Sequence, residues 1–324
     1  MSVAARVLAI SGGIGGAKLA LGLQRVLEPG DLAVLINTGD DFRHLGLAIC
    51  PDLDTVTYTL AGVANTETGW GRRGETWNFL EELARLGGDT WFKLGDRDLV
   101  VHVERTRRLA SGESLTTLTD DLRRRFRVPS TLLPMSDDPV TTWLDTEAGP
   151  LEFQEYFVRR RCEPLVRGVD YRGAAQASAN PAALGLLASA TLECVVLCPS
   201  NPYLSIGPIL AIPALRRALE QCHAPIVVIS PVIGGRAVKG PTVKLMQELG
   251  VEASPRTIAR HYDGIIDGLV LDTEDAALAT TVGLPTLVVP TLMQTLEDRE
   301  KLARAALAFA RTLAPGRRAR RVRA

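Results

Sequence analysis

Unbroken apolar runs alternate with stretches of helical spacing along most of this chain. Val7-Leu8-Ala9-Ile10 is apolar throughout and runs into a glycine loop. From Ala17 to Leu27, the residues Leu19, Leu23, Val26 and Leu27 recur at intervals of three and four, the spacing of a helix with one apolar face. Leu32–Ile36 is a second unbroken run. Strand, glycine turn, helix and strand in that order predict a βαβ opening. Strands apolar at every position belong to a parallel sheet covered on both faces, and such sheets bind ligands at the carboxyl ends of their strands.

Further along, Val56–Leu60 predicts a helix capped by Asp52 or Asp54, and another helix follows Thr76 through Phe79, Leu80 and Leu83. Trp91–Leu94 predicts a short strand ending in the turn Gly95-Asp96-Arg97-Asp98. Ser114–Phe126 has helical spacing, and Arg123-Arg124-Arg125 suits the negative end of its dipole. Between Ser130 and Arg161 the pattern changes to short pieces of alternating polarity, which predicts a small inserted subdomain. Unbroken runs return at Val195–Cys198, Ile226–Ser230, Leu269–Asp272 and Thr286–Val289. The fold class is therefore α/β, a Rossmann-like doubly wound parallel sheet with an inserted small α/β subdomain. Residues 1–129 form the first half, 130–175 the β-rich insertion, 176–314 the rest of the core and 315–324 a basic, solvated tail.

Composition narrows the class of partner. An apolar content of 46% with 23% charged residues is that of a globular protein with a core. Lys and Arg balance Asp and Glu, which argues against nucleic acid as the main partner. No apolar run reaches the roughly 18 residues needed to span a bilayer, and the N-terminus lacks a signal-peptide layout, so no membrane is expected and the cytoplasm is the expected location. The five cysteines form no CxxC pair and read as buried thiols. Low net charge and ample apolar surface fit a homodimer.

The chemistry concentrates in the loops after the predicted strands. Asn37-Thr38-Gly39-Asp40-Asp41, with Asp52-Leu53-Asp54 shortly after, gathers four carboxylates. Carboxylates repel one another, and the usual cation for an all-oxygen set acting on phosphates is Mg²⁺. Two of the four would touch the metal, while the others hold a substrate hydroxyl or cap the helix. Ser11-Gly12-Gly13-Ile14-Gly15-Gly16-Ala17-Lys18 matches neither the P-loop, which needs Ser or Thr after its Lys, nor the dinucleotide fingerprint. It reads as an anion nest at a helix N-terminus or as a plain tight turn. Lys93–Asp98 reads as a phosphate-binding end of a strand or a surface ion-pair turn. Cys198–Pro208, with Ser200 and Asn201, and Ser230–Pro241, with Gly234, Gly235 and Gly240, add two more loops suited to a nucleotide. The four histidines lack metal spacing, and His44 reads as a loop or helix-surface residue.

In this order, these segments resemble the 2-phospho-L-lactate transferase family, which builds coenzyme F420. The matching stretches include Ser11–Lys18, Asn37–Asp41, Pro51–Val56 with Tyr58, Lys93–Asp98, Leu133–Pro139, Phe153–Glu155, Arg167–Asp170, Pro199–Leu210 and Ser230–Pro241, nearly the whole chain. Gly69-Trp70-Gly71 and Glu75–Asn78 look like the bacterial branch. The resemblance implies transfer of a phospho-acid unit (2-phospholactyl, enolpyruvyl-phosphate or 3-phosphoglyceryl) from a guanylyl-diphosphate donor to the terminal ribitol hydroxyl of the deazaflavin Fo. GMP leaves, and Mg²⁺ is required. It implies Asp40, Asp52 and Asp54 as metal ligands, with Asp54, Asp40 and Arg97 catalytic. Asp54, Lys93, Asp96 and Arg97 would meet the acceptor and the transferred group. Gly12, Gly13, Gly15, Ser200, Asn201, Gly234, Gly235 and Gly240 would hold the nucleotide. Ile14 and Gly16 stand where family members often show Thr, which leaves the phosphate contacts there to backbone amides. The competing resemblance is to the gluconeogenesis-factor family of nucleotide-sugar-binding regulators, which shares the glycine loop and the Asp-Asp pair but not Pro51–Asp54 or Lys93–Asp98.

Overall fold

The computed structural model describes residues 4–238 and 240–313, so the basic tail and Lys239 of the Ser230–Pro241 loop lie outside the described residues. In chain order the strands are β1 (Val7–Ser11), β2 (Leu32–Ile36), β3 (Phe42–His44), β4 (Leu47–Ile49), β5 (Thr131–Pro134), β6 (Thr141–Thr146), β7 (Gly149–Glu152), β8 (Val166–Arg172), β9 (Cys194–Leu197), β10 (Ile226–Ile229), β11 (Val232–Ile233), β12 (Arg236–Ala237), β13 (Gly268–Leu271) and β14 (Thr286–Val288). The helices are α1 (Gly13–Val26), α2 (Pro51–Leu60), α3 (Asn78–Arg85), α4 (Asp96–Ala110), α5 (Leu115–Arg125), α6 (Pro181–Ala188), α7 (Gly207–Ala211), α8 (Pro213–Gln221), α9 (Thr242–Glu248), α10 (Pro255–His261) and α11 (Leu296–Thr312).

Seven strands form one sheet in the order β14-β13-β10-β9-β1-β2-β5, every neighbouring pair parallel. The apolar runs of β1, β2, β9, β10 and β13 are buried at every residue, and successive side chains enter opposite cores, whereas β14 is a half-buried edge strand. Leu8 and Ile10 of β1 pack with α6, α8 and α10 residues such as Leu186, Leu215 and Ile258. Val7 and Ala9 pack on the other face with Leu19 and Leu23 of α1, Val56 of α2 and Leu302 of α11. The strands wind outward from β1 through β2 to β5, then return to β9 on the other side of β1. That reversal makes the carboxyl ends of β1 and β9 the switch point, where the helices leave on opposite faces and a crevice opens.

Four expectations need correction. Thr131–Pro134 pairs with β2 as an edge strand of the main sheet, so the separate three-stranded antiparallel sheet is β7-β6-β8 only. Trp91–Leu94 is irregular and packs with the β3–β4 hairpin, where Trp91 and Phe92 surround His44; that histidine is therefore buried in a strand and not on a loop or helix surface. The turn expected at Gly95–Asp98 is the beginning of the 15-residue helix α4.

Gly22 marks the tightest helix contact. A methyl group built there would overlap the backbone carbonyl of Arg299 in α11, so the two backbones meet with no side chain between them. Gly22→Ala should therefore destabilise the protein by about 1–3 kcal/mol through overpacking, despite the better helix propensity of Ala. The midpoint of urea unfolding measures this; an unchanged or higher midpoint would show that α11 can shift freely.

Candidate active site

The loops after β1, β2 and β9 meet at the switch point. Ser200 bridges two of them: its Oγ donates to the Gly12 carbonyl at 2.7 Å and accepts from the Gly12 amide at 3.2 Å. The glycines of the first loop have separate causes. Gly13 begins α1 with φ of +62°, the left-handed region that favours glycine. A methyl on Gly15 would sit 2.5 Å from the Pro199 carbonyl, and one on Gly16 2.5 Å from Ser200 Oγ. These two glycines let α1 pack against the β9 loop.

After β2, the chain turns on an Asn37 side chain that accepts from the Gly39 amide at 2.8 Å, an Asx turn that leaves the Asn37 amide group free to donate. That group donates to Asp52 Oδ2 at 3.0 Å and Asp40 Oδ1 at 3.3 Å. Asn37, Asp40 and Asp52 are all buried. Asp52 also lies against the glycine loop, where a methyl on Gly12 would stand 2.6 Å from its Oδ2 and where the Gly13 amide donates to it. Burial pushes the Asp52 carboxyl up to about 6, against the pull of its Asn37 and Gly13 donors. Burial, followed by repulsion from Asp52 and Asp41, pushes Asp40 well above the usual carboxylate range. Asp41 is raised too, chiefly by burial, although the Cys50 thiol hydrogen-bonds to it. Its Oδ1 has no hydrogen-bond partner, and neither do the buried hydroxyls of Ser11 and Thr38.

Asp52 and Asp54 occupy the first turn of α2 and not its cap; Cys50 is the N-cap, without a side-chain bond. Two residues apart on a helix, their side chains point in different directions. Asp54 faces α4, where the buried Arg105 holds it with both terminal nitrogens, Nη1 at 3.1 Å and Nη2 closer still. Arg105 Nη1 also lies 3.2 Å from His102 Nδ1. A guanidinium can only donate, so His102 accepts there and carries its proton on Nε2, which faces Asp98 Oδ2 at 3.4 Å. Tyr58 donates to the other oxygen of Asp98 at 2.6 Å. Burial works to raise Asp98, but His102 beside it and the hydrogen bond from Tyr58 carry it below the usual range. Asp54 remains raised by burial, opposed by Arg105 and then His102. The cluster is thus two groups: Asp40 and Asp52 gathered on Asn37, and Asp54 in an ion pair.

Other expected site residues lie as follows. Lys93 and Arg97 are exposed. Asp96 accepts from Thr76 Oγ1 at 2.6 Å and from the Asn78 and Phe79 amides at 3.1 Å each, so it caps α3. In return Glu75 caps α4, accepting from the Arg97 amide at 2.7 Å and the Asp98 amide at 3.0 Å. Asn201 caps its own turn by accepting from the Tyr203 and Leu204 amides and donates to Thr242 Oγ1 at 3.2 Å. Gly234 and Gly235, with φ of +54° and +72°, are the two-residue turn of the β11–β12 hairpin; they and Gly240 are exposed. Lys18 donates to the Met293 carbonyl at 3.0 Å. The small sheet reaches the site through Gln154, whose amide lies 3.4 Å from the Asp40 carbonyl. Tyr58, His102 and Arg105 carry no site role in the sequence pattern, and Asn37 and Asp98 appear there only as members of the Asn37–Asp41 and Lys93–Asp98 segments. Asp98, His102 and Arg105 recur at intervals of four and three, a helical spacing hidden by the expected strand and turn.

With this geometry in place, likeness to known proteins is decisive. The family description "2-phospho-L-lactate transferase CofD" matches residues 7–301. The chain belongs to that family. It is 41% identical over 314 residues to the phosphoenolpyruvate transferase of Streptomyces griseus, covering 94% of this chain and 98% of the relative. It is 37% identical over 300 residues to the 2-phospho-L-lactate transferase of Methanosarcina mazei, covering 92% and 98%. A solved structure of a UPF0052 family protein from Bacillus halodurans shares the fold with a TM-score of 0.61 at 14% identity, covering 94% of this chain and 99% of that one. Among the described residues, no helix of this transferase-family member is long and apolar enough to cross a membrane.

Two outcomes follow for the metal-free protein. Because the Asp52 carboxyl is raised in the folded state, folding favours its protonated form. Its stabilising contribution is full below about pH 4 and is lost as pH rises to about 6. Asp52→Asn should therefore raise stability at pH 7 by roughly 1–3 kcal/mol, with the gain vanishing toward pH 4; melting curves across that range in a chelator measure it. Arg105→Leu leaves Asp54 buried without its partner and should cost about 3–5 kcal/mol, read from the denaturant midpoint. A loss below about 1 kcal/mol would mean that Asp54 is solvated in solution.

Proposed function

We propose that this chain transfers a phospho-acid unit from a guanylyl-diphosphate donor to the terminal ribitol hydroxyl of Fo, releasing GMP and forming the phosphodiester of coenzyme F420. The observation that carries this reading is the convergence of Asp40 and Asp52 on Asn37, beside the glycine loop at the switch point. Family membership and the names of the relatives support it. The bacterial relatives named phosphoenolpyruvate transferase, up to 42% identical, favour the enolpyruvyl-phosphate unit over lactyl or glyceryl.

The residues fit Mg²⁺. Asp40 and Asp52 are a buried all-oxygen pair raised by desolvation, with Asp52 adding repulsion at Asp40; both effects favour a cation. Asp41, with its unpartnered oxygen, stands beside them, while Asp54 already has the charge of Arg105. Mg²⁺ bound there would draw charge off the diphosphate. The loop Gly12–Gly15, Ser200 and Asn201, with the turn at Gly234-Gly235 and Gly240, would line the nucleotide side. The exposed cations Lys93 and Arg97 would face the acceptor and the transferred group. In the transfer, the Fo hydroxyl oxygen bonds to the phosphorus that carries the acid, the bridging P–O bond breaks and GMP departs. The hydroxyl proton passes to a carboxylate. Asp54 is our choice, held in place by Arg105; Asp96 is spent on capping α3. Orientation of the hydroxyl and stabilisation of charge at phosphorus supply most of the acceleration.

Incubating the protein with Fo, Mg²⁺ and the enolpyruvyl, lactyl and glyceryl donors in parallel should give GMP and a phosphorylated deazaflavin, fastest with the enolpyruvyl donor. Asp40→Asn should lower kcat by at least about a hundredfold while leaving the fold intact. No GMP from any donor would defeat the enzyme reading, and nucleotide binding without turnover would point to a regulator instead.

A further inference from the structure

A row of buried polar side chains lies between α2 and α4, and only one end of it, Asp54, enters the proposed reaction. Asp54 and Tyr58 are one turn apart on α2, while Asp98, His102 and Arg105 follow one another at helical spacing on α4. All five are buried, His102 and Arg105 almost completely, at 1% and 2% exposure. The two helices are joined at both ends of the row. Tyr58 donates to Asp98 Oδ1 at 2.6 Å, and Arg105 holds Asp54 with both terminal nitrogens. His102 fills the space between, with Nε2 3.4 Å from Asp98 Oδ2 and Nδ1 3.2 Å from Arg105 Nη1.

The row has a direction. Arg105 Nε is buried without a hydrogen-bond partner, so the guanidinium is oriented through its terminal nitrogens alone. Nη1 can only donate, and it faces three acceptors: Asp54 Oδ2 at 3.1 Å, His102 Nδ1 at 3.2 Å and the Ala48 carbonyl at 3.3 Å. His102 suits that place only with Nδ1 unprotonated, and Asp98 enforces this by standing opposite the Nε2 proton. Asp98 is itself held from two sides, by Tyr58 and by Glu75, which accepts from the Asp98 amide at 3.0 Å. Stability does not require such a row, because a buried ion pair is often no more stabilising than apolar side chains of the same volume. An apolar filling, however, would leave the fork of Arg105 without a fixed plane.

We propose that Asp98 and His102 are positioning residues for the transfer: by fixing one imidazole tautomer they orient Arg105, and through it the carboxylate of Asp54 that receives the acceptor's proton. The role of Asp54 is that of the proposed reaction, on which this inference rests; the tautomer itself does not depend on it. In an Asp98→Asn variant Tyr58 donates to the amide oxygen, so the amide nitrogen turns toward His102 Nε2. The imidazole proton then moves to Nδ1 and opposes Arg105 Nη1, donor against donor. The fork loses its plane while the volume of the side chain is kept.

Turnover and imidazole spectra of the full chain test this together. Asp98→Asn should lower kcat for GMP release about a hundredfold, with KM for the nucleotide donor unchanged. Adding His102→Asn should recover at least about tenfold of that loss, because an amide oxygen near the place of Nδ1 accepts from Arg105 whichever side chain stands behind it. A purely structural role predicts the opposite, a double variant worse than either single one. Wild-type kcat in Asp98→Asn, or no recovery in the double variant, would overturn the proposal. Proton–nitrogen NMR correlations read the tautomer directly among only four histidines, with His102→Asn identifying the signals of His102. The wild type should carry its proton on Nε2 and Asp98→Asn on Nδ1. Turnover by a wild type with the proton on Nδ1 overturns this proposal alone, whereas no GMP from any donor defeats the enzyme reading and the positioning role with it. Should Asp98→Asn not fold, the wild-type spectrum decides: a proton on Nε2 supports the proposal and one on Nδ1 overturns it.

Discussion

The carboxylate of Asp52 is the point on which the site's arrangement depends. It takes one hydrogen bond from the start of α1, at Gly13, and one from Asn37 after β2. A single anion thereby ties together a helix start, the end of a neighbouring strand and the first turn of α2. Burial makes this anion costly, and the two donors repay only part of that cost. The site is consequently a place where the fold holds more negative charge than it neutralises. Such an imbalance is tolerable because the surrounding sheet is rigid, with β1 and β2 buried along their whole lengths.

The second group of charges solves a similar problem differently. Asp54 lies on the same turn of α2, but α4 provides it with a guanidinium, and the guanidinium is flanked by His102 and Asp98. The result is a closed ion pair next to an unpaired couple. One part of the site is stiff and self-sufficient, and the other is left wanting a cation. This difference assigns distinct expectations to carboxylates that look equivalent as a row of acids.

Much of the fold was legible because its signals are local. Val7–Ile10, Leu32–Ile36, Cys194–Leu197 and Ile226–Ile229 are apolar at every position, and only a strand buried on both faces requires that. The Asp cluster was legible for the same reason, since its members are close in sequence. What escaped was set by partners far along the chain. Trp91–Leu94 has the composition of a strand but packs on a hairpin instead. The Val-rich beginning of α4 obscured its helical spacing, and with it Asp98, His102 and Arg105. Gly15 and Gly16 suggested close approach to a phosphate, whereas the neighbours that require them in this structure are Pro199, Ser11 and Ser200. Sequence can show that a backbone must be approached closely, but not by what.

The exchange of caps between α3 and α4 has a mechanical meaning. Each helix start is completed by an acid from the other's segment, Asp96 for α3 and Glu75 for α4. Neither can swing away without uncapping both, so the two helix starts are held together as a clasp. Because α4 also carries Arg105, a displacement that opened the clasp would move the partner of Asp54 with it.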